Sequence, residues 1–186
     1  MGGFPLTAWE KDRPGSEIMR YLKILLLLLL PLAVTACGGS KFKSYHGPKV
    51  TSVQVQKANR KMYLLHNDKV LKSYDIGLGG NPVGPKEFEG DGKTPEGTYY
   101  ISHRNPNSRY HLSLGISYPN PQQVAFAEAQ QKKPGGDIFI HGELPKAKRR
   151  PGIPQDWTAG CIAVSDKEIE RIYAMVTPGT PIFIYP

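Results

Sequence analysis

Hydrophobic and polar positions divide the chain near residue 49. Residues 24–34 form an unbroken apolar run, Ile-Leu-Leu-Leu-Leu-Leu-Leu-Pro-Leu-Ala-Val, and residues 38–48 are polar. Beyond Val50 the pattern shortens and repeats. Val53-Gln54-Val55-Gln56 alternates with period two, and Met62-Tyr63-Leu64-Leu65 and residues 70–76 flank Asn67-Asp68, a turn signal. This predicts a meander of short strands. Residues 97–101, 137–141 and 181–185 read as further strands. Two stretches read as helices. One runs from Pro121 to about Gln131, rich in Ala, Gln and Glu, with Pro134-Gly135-Gly136 stopping whatever precedes it. The other opens on the capping box Ser165-Asp166-Lys167-Glu168, carries Ile169, Ile172, Tyr173 and Val176 at helical spacing, and ends at Pro178-Gly179. The class is mainly β with a few helices, in one domain.

Composition excludes two broad classes. With 39% hydrophobic and 22% charged residues, the chain is neither disordered nor a multi-span membrane protein. Two cysteines exclude a disulfide scaffold and a four-thiolate zinc site.

The apolar run is too short to span a bilayer. Arg20 and Lys23 precede it, and the small residues Thr35 and Ala36 follow, which is the layout of an export signal. Val34-Thr35-Ala36-Cys37-Gly38-Gly39 resembles a bacterial lipobox, in which cleavage leaves a lipidated cysteine first. The expected organisation is a leader and lipoprotein signal peptide over residues 1–36, a lipidated tether over 37–48 starting at Cys37, and one folded domain over 49–186. Met19-Arg20-Tyr21-Leu22-Lys23 is a compact basic lead-in, so translation is expected to start at Met19. Gly38 follows the lipid cysteine where an aspartate would retain the protein at the inner membrane, which favours the outer membrane if the host has one. The net charge of +8 belongs to an exported chain, so anionic wall or lipid headgroups are expected partners and nucleic acid is not.

With Cys37 assigned to lipid, Cys161 is the only remaining thiol. Thr158-Ala159-Gly160-Cys161 places glycine before the sulfur, where backbone N–H groups can turn toward an oxyanion. A short strand or tight turn ahead of a capped helix suits an activated nucleophile better than a buried, inert cysteine. Such a thiol needs a base. Among His46, His66, His103, His111 and His141, the last ends a strand and is followed by Gly142, which lets the chain turn away from a cleft. The rival chemistry is metal. His103, His111, His141 and Asp137 match no ligand spacing, and no cofactor or metal is expected.

Ile140-His141-Gly142, with Thr158-Ala159-Gly160-Cys161-Ile162 following 16 residues after His141 (142–157), resembles the signature of the L,D-transpeptidase (YkuD-type) family. Lys93-Thr94-Pro95-Glu96-Gly97-Thr98-Tyr99 is similar to that family's strand lead-in, and Gly179-Thr180-Pro181-Ile182-Phe183-Ile184 to its final strand. Two positions depart from the pattern. Ala159 stands where histidine is usual, and Ala163 where asparagine or arginine is usual.

The resemblance implies an L,D-transpeptidase-like β-sandwich of short mixed strands with two or so short helices. It implies Cys161 as nucleophile and His141 as general base and acid, with the backbone N–H groups of Gly160 and Cys161 as oxyanion hole. The substrate implied is a peptidoglycan stem peptide, held as a thioester during wall cross-linking or remodelling. Acylation by carbapenems is implied too. Thr158, Trp157, Arg149, Arg150 and Tyr118 are candidate substrate contacts. The basic insert holding Lys146, Lys148, Arg149 and Arg150 either attracts stem-peptide carboxylates or is a solvated loop. Two rivals stay open. One is a hydrolase on the same scaffold, and the other a wall-binding lipoprotein with a decayed site. The protein is expected to act as a monomer, exported and anchored by its lipid.

Overall fold

A computed structural model describes residues 39–186; the leader, Cys37 and the cleavage site expected before it lie outside them. Residues 41–186 form one compact unit. Its strands are β1 (Ser52–Gln56), β2 (Lys61–His66), β3 (Lys69–Asp75), β4 (Gly97–Asn105), β5 (Ser113–Ile116), β6 (Phe139–His141), β7 (Ile162–Ala163) and β8 (Pro181–Tyr185). Two helices, α1 (Pro121–Ala129) and α2 (Asp166–Met175), and one 3-10 turn (Lys146–Lys148) complete it.

The sandwich takes the form of one eight-stranded sheet in the order β3-β2-β1-β8-β4-β5-β6-β7. Neighbours are antiparallel except β1 with β8 and β6 with β7. Strand β4 joins the two halves. Its residues Gly97 to Tyr100 pair with β8, and Ile101 to Asn105 with β5, across a register shift that bends the strand. The chain leaving β3 then reaches the opposite edge of the sheet. Gly77 and Ala163 exchange N–H···O bonds of 2.9 Å in both directions, and Gly79 bridges to Thr158. The sheet therefore curls until its two edges are stitched together.

One core fills the curl. Val53, Val55, Met62 and Leu64 from one half meet Leu112, Leu114, Ile140 and Ile162 from the other, and α2 adds Ile169, Ile172 and Tyr173. The alternation in β1 and β2 sends every second side chain into this core. Both helices begin with capping boxes, Asn120 with Gln123 and Ser165 with Glu168. Helix α1 buries only Ala127, so its cap and the stack of Phe126 on Phe88, at 5.8 Å between ring centroids, do most to hold it.

Three elements differ from the sequence expectation. The strand at 137–141 is shorter, β5 was not anticipated, and β7 settles as a strand where a short strand or a tight turn was open, because four and two residues carry too little alternation to show. The expected tether is docked from Lys41 onward: Lys41 Nζ donates to Pro106 O at 2.7 Å, Lys43 pairs with Glu170 at 3.3 Å, and Tyr45 packs on the core. Among the described residues no helix is long and apolar enough to cross a membrane.

Ile140 is fully buried and faces Leu114 on one side and Ile162 on the other. Ile140→Ala should cost about 2–5 kcal/mol in chemical denaturation. Ser165→Ala, which removes one cap, should cost about 1 kcal/mol.

Candidate active site

Cys161 follows a turn that Thr158 holds closed. The Thr158 hydroxyl donates to Cys161 O at 2.7 Å and accepts from Gly160 N–H at 3.1 Å. Gly160 has φ +138°, and a Cβ there would stand 2.6 Å from Lys93 O, so both conformation and space demand glycine. Two expectations change here. Thr158 is 8% exposed and its hydroxyl is used inside the turn, which makes it a positioning residue rather than a substrate contact. The Gly160 N–H is bonded to Thr158 and does not point at an oxyanion in this state.

His141 sits on the strand beside the cysteine. Parallel pairing sets Ile140 against Ile162 and His141 against Ala163. Extending that register puts Cys161 opposite Phe139, so His141 and Cys161 are diagonal neighbours on one face of the ladder, while Ile140 and Ile162 point into the core. The imidazole is 2% exposed. Tyr110 stacks on it at 4.3 Å between centroids, and Trp157 meets it edge-on at 5.5 Å. Its Nδ1 lies 2.7 Å from Gly142 O. A carbonyl only accepts, so Nδ1 carries the proton and the Nε2 lone pair is left to act as base.

The pair rests neutral. Burial lowers the His141 pKa, and the Gly142 hydrogen bond opposes it less strongly. Burial likewise raises the Cys161 pKa; the Phe139 backbone hydrogen bond and the charge of Lys86 pull it down, and the charge of Asp137 pushes it up. The thiol donates to Asp137 O at 3.4 Å.

The segment between β3 and β4 carries the turn from beneath, and two buried lysines shape it. Lys57 Nζ donates to Gly84 O (2.7 Å), Thr94 O (3.0 Å) and Glu96 Oε1 (2.7 Å). Lys86 Nζ donates to Phe88 O and Asp91 Oδ1, both at 2.7 Å. Burial alone would raise Asp91, but the Lys86 pair and three backbone amides hold its pKa below the usual carboxylate value. Thr94 Oγ1 accepts from Gly79 N–H at 3.0 Å, which locks the segment under Gly160.

Trp157 borders open space on the side away from the thiol turn. Two cavities adjoin it, of about 560 and 670 Å³. Both are lined by Leu144, Arg149, Ile153, Pro154 and Trp157, and Arg150 lines the second; Cys161 and His141 line neither. Arg149 is partly engaged, pairing with Glu143 at 2.6 Å and Asp166 at 2.7 Å, whereas Arg150 is exposed.

Tyr118 is a correction. It is 5% exposed within the core, its hydroxyl donates to Pro134 O at 3.0 Å, and burial pushes its pKa up to about 12. It cannot meet substrate. Its aromatic character suggested a cleft wall, but aromatic residues serve cores equally well. His111 pairs with Glu170 and His103 with Ser102, and among the described residues no three metal-ligating side chains converge. Sequence reasoning passed over Lys86, the carbonyls of Gly142 and Asp137, and Asp156, which grips Arg60 and accepts from Leu78 N–H at 2.9 Å just ahead of Trp157. The carbonyls carry no side-chain signal at all.

The L,D-transpeptidase catalytic domain (YkuD) family model matches residues 51–184. The chain is similar to YafK of Escherichia coli strain K12, itself an inferred L,D-transpeptidase, with 26% identity over 192 residues covering 90% of this chain and 71% of that protein. Among solved structures it is similar to the helical cell shape determining protein Pgp2 of Campylobacter jejuni, at 25% identity and TM-score 0.55, covering 79% of this chain and 51% of that one. Bd1075 of Bdellovibrio bacteriovorus shares the fold at 23% identity and TM-score 0.50, covering 77% of this chain and 50% of that one. The chain thus spans about half the length of these solved structures.

Two measurements check the site. Thr158→Val should cost about 1–3 kcal/mol, because a buried N–H loses its partner, and should slow alkylation of Cys161; Thr158→Ser should restore both. With the pair neutral at rest, the iodoacetamide rate at Cys161 should rise with pH around a midpoint above that of an ordinary thiol. A midpoint below it would mean a preformed thiolate–imidazolium pair.

Proposed function

The chain belongs to the L,D-transpeptidase catalytic-domain (YkuD) family, and from that premise we propose that it is an exported cysteine acyltransferase acting on peptidoglycan stem peptides. One observation carries the reading. A partly exposed thiol on a glycine turn lies on the same ladder face as an imidazole whose tautomer leaves Nε2 as acceptor.

The thiol first swings from Asp137 O toward His141. Nε2 takes its proton as sulfur attacks the carbonyl carbon of a stem peptide bond. The oxyanion is received by the Cys161 N–H, since the Gly160 N–H is held by Thr158. The C–N bond breaks, and the leaving amine takes the proton from His141. The acyl group is now a thioester. An incoming amine attacks it and gives a proton to His141; the C–S bond breaks and the thiolate is reprotonated. The result is a cross-link in the wall, and the likeness to Pgp2 supports a part in cell shape. Water in place of the amine makes the same machinery a hydrolase. Lipidation at Cys37 would hold the domain at the membrane, facing the wall.

Burial of both groups fits this order of events. A neutral pair keeps the thiol quiet until a carbonyl arrives, and water excluded by Tyr110 and Trp157 strengthens each interaction inside.

Mass spectrometry of muropeptides after incubation with tetrapeptide-bearing wall fragments tests the proposal. Cross-linked dimers should appear with the unmutated protein and vanish with Cys161→Ala. His141→Gln should lower the rate by about 10²-fold or more. Shortened peptides without dimers would favour the hydrolase. Identical products from the unmutated and Cys161→Ala proteins would overturn the cysteine mechanism.

A further inference from the structure

Among the described residues, Asp137 is the acidic residue whose backbone meets the thiol and whose charge bears on it. Its backbone carbonyl accepts the Cys161 Sγ–H at 3.4 Å. Along the ladder the sulfur lies between His141, two residues past Phe139, and Asp137, two residues before it. The Asp137 side chain is exposed, and among the described residues its carboxylate has no ion-pair partner. Asp137 also holds φ +55°, a conformation aspartate adopts more readily than most side chains.

An unpaired carboxylate here works against the nucleophile, because it raises the cost of forming the thiolate. The nearby cation, Lys86, is tied to Asp91 Oδ1 and to Phe88 O and is not paired with Asp137. The basic residues Lys148, Arg149 and Arg150 line the cavity beyond Trp157 and are not paired with it either. Acyl transfer by a cysteine involves amines on both sides of the thioester, and a primary amine arrives at neutral pH as an ammonium ion.

We propose that Asp137 is a substrate-recognition residue that binds the primary ammonium of the amine entering or leaving the Cys161 acyl-enzyme. Held there, the entering ammonium gives one proton to solvent before its nitrogen attacks the thioester, and the amine that leaves the stem peptide is held in the same way once it has been protonated. The proposal rests on the acyl-transfer reading, but its test needs no peptide substrate.

The full chain carrying Cys37→Ser, in detergent, would be modified at Cys161 with a cationic and an anionic methanethiosulfonate reagent, and the Cys161 peptide quantified by mass spectrometry. The ratio of cationic to anionic rates should fall several-fold, about 3–10, in Asp137→Asn. Asparagine keeps the backbone carbonyl and tolerates the positive φ, and Asp137→Glu should keep much of the ratio if the chain folds around it. Added 1,5-diaminopentane should slow the cationic reagent in the unmutated protein and not in Asp137→Asn. The pH midpoint for iodoacetamide should also fall in Asp137→Asn. An unchanged rate ratio together with no effect of the diamine would overturn the proposal. A changed ratio in a protein that forms no cross-links would leave the recognition of amines standing and sink the transferase instead.

Discussion

Three backbones meet under Cys161. Gly79 lies against Gly92 O, where a Cβ would come within 2.1 Å, and against Gly160 Cα, while Gly160 rests on Lys93 O. This convergence closes the curled sheet and positions the cysteine turn at once. It needs glycine on each side because peptide groups can pack that closely only where no side chain intervenes. The Gly77–Ala163 pairing extends the same contact by one more rung. Sheet closure and site assembly are therefore a single event, and a change that loosens one loosens the other.

The segment that supplies the lower backbone has no strand of its own between β3 and β4. Its order comes from Lys57 and Lys86, each buried and each giving its protons to loop carbonyls and one carboxylate. Buried charges of this kind hold a conformation at the cost of desolvation, which shows in the lowered pKa of Lys57. What they gain is geometry. Carbonyls that would repel one another in an apolar interior are drawn to a shared cation, much as they would be to a bound ion.

The departures from the family pattern fall at places where the structure shows room. Ala159 is exposed on the turn ahead of Cys161, so a larger side chain there would not have to enter the core. Ala163 lines the first cavity beside Gly77 and Trp157. A long side chain at 163 would project into that space, and alanine leaves it open. Neither position orients His141, which takes its orientation from Gly142 and its cover from Tyr110 and Trp157.

Much of this was legible in the chain itself. Alternation and turn signals located β1, β2, β3 and β8, composition and a Pro-Gly-Gly stop located α1, and a capping box located α2, because those elements are decided by contacts within a few residues. The spacing of His141 and Cys161 and the glycine before the sulfur pointed to the chemistry, since a nucleophile, a base and a tight turn each leave a residue type behind. What decided the rest has no local signature. Strands β5 and β7 exist because longer neighbours pair with them. Tyr118 went to the core and Thr158 into the turn because of what surrounds them, and aromatic or hydroxyl character alone does not tell a wall from a support. The neutral state of the pair, the carbonyls that orient it and the placement of Asp137 at the thiol arise only when residues far apart in sequence share one desolvated space, and that is a property of the tertiary structure.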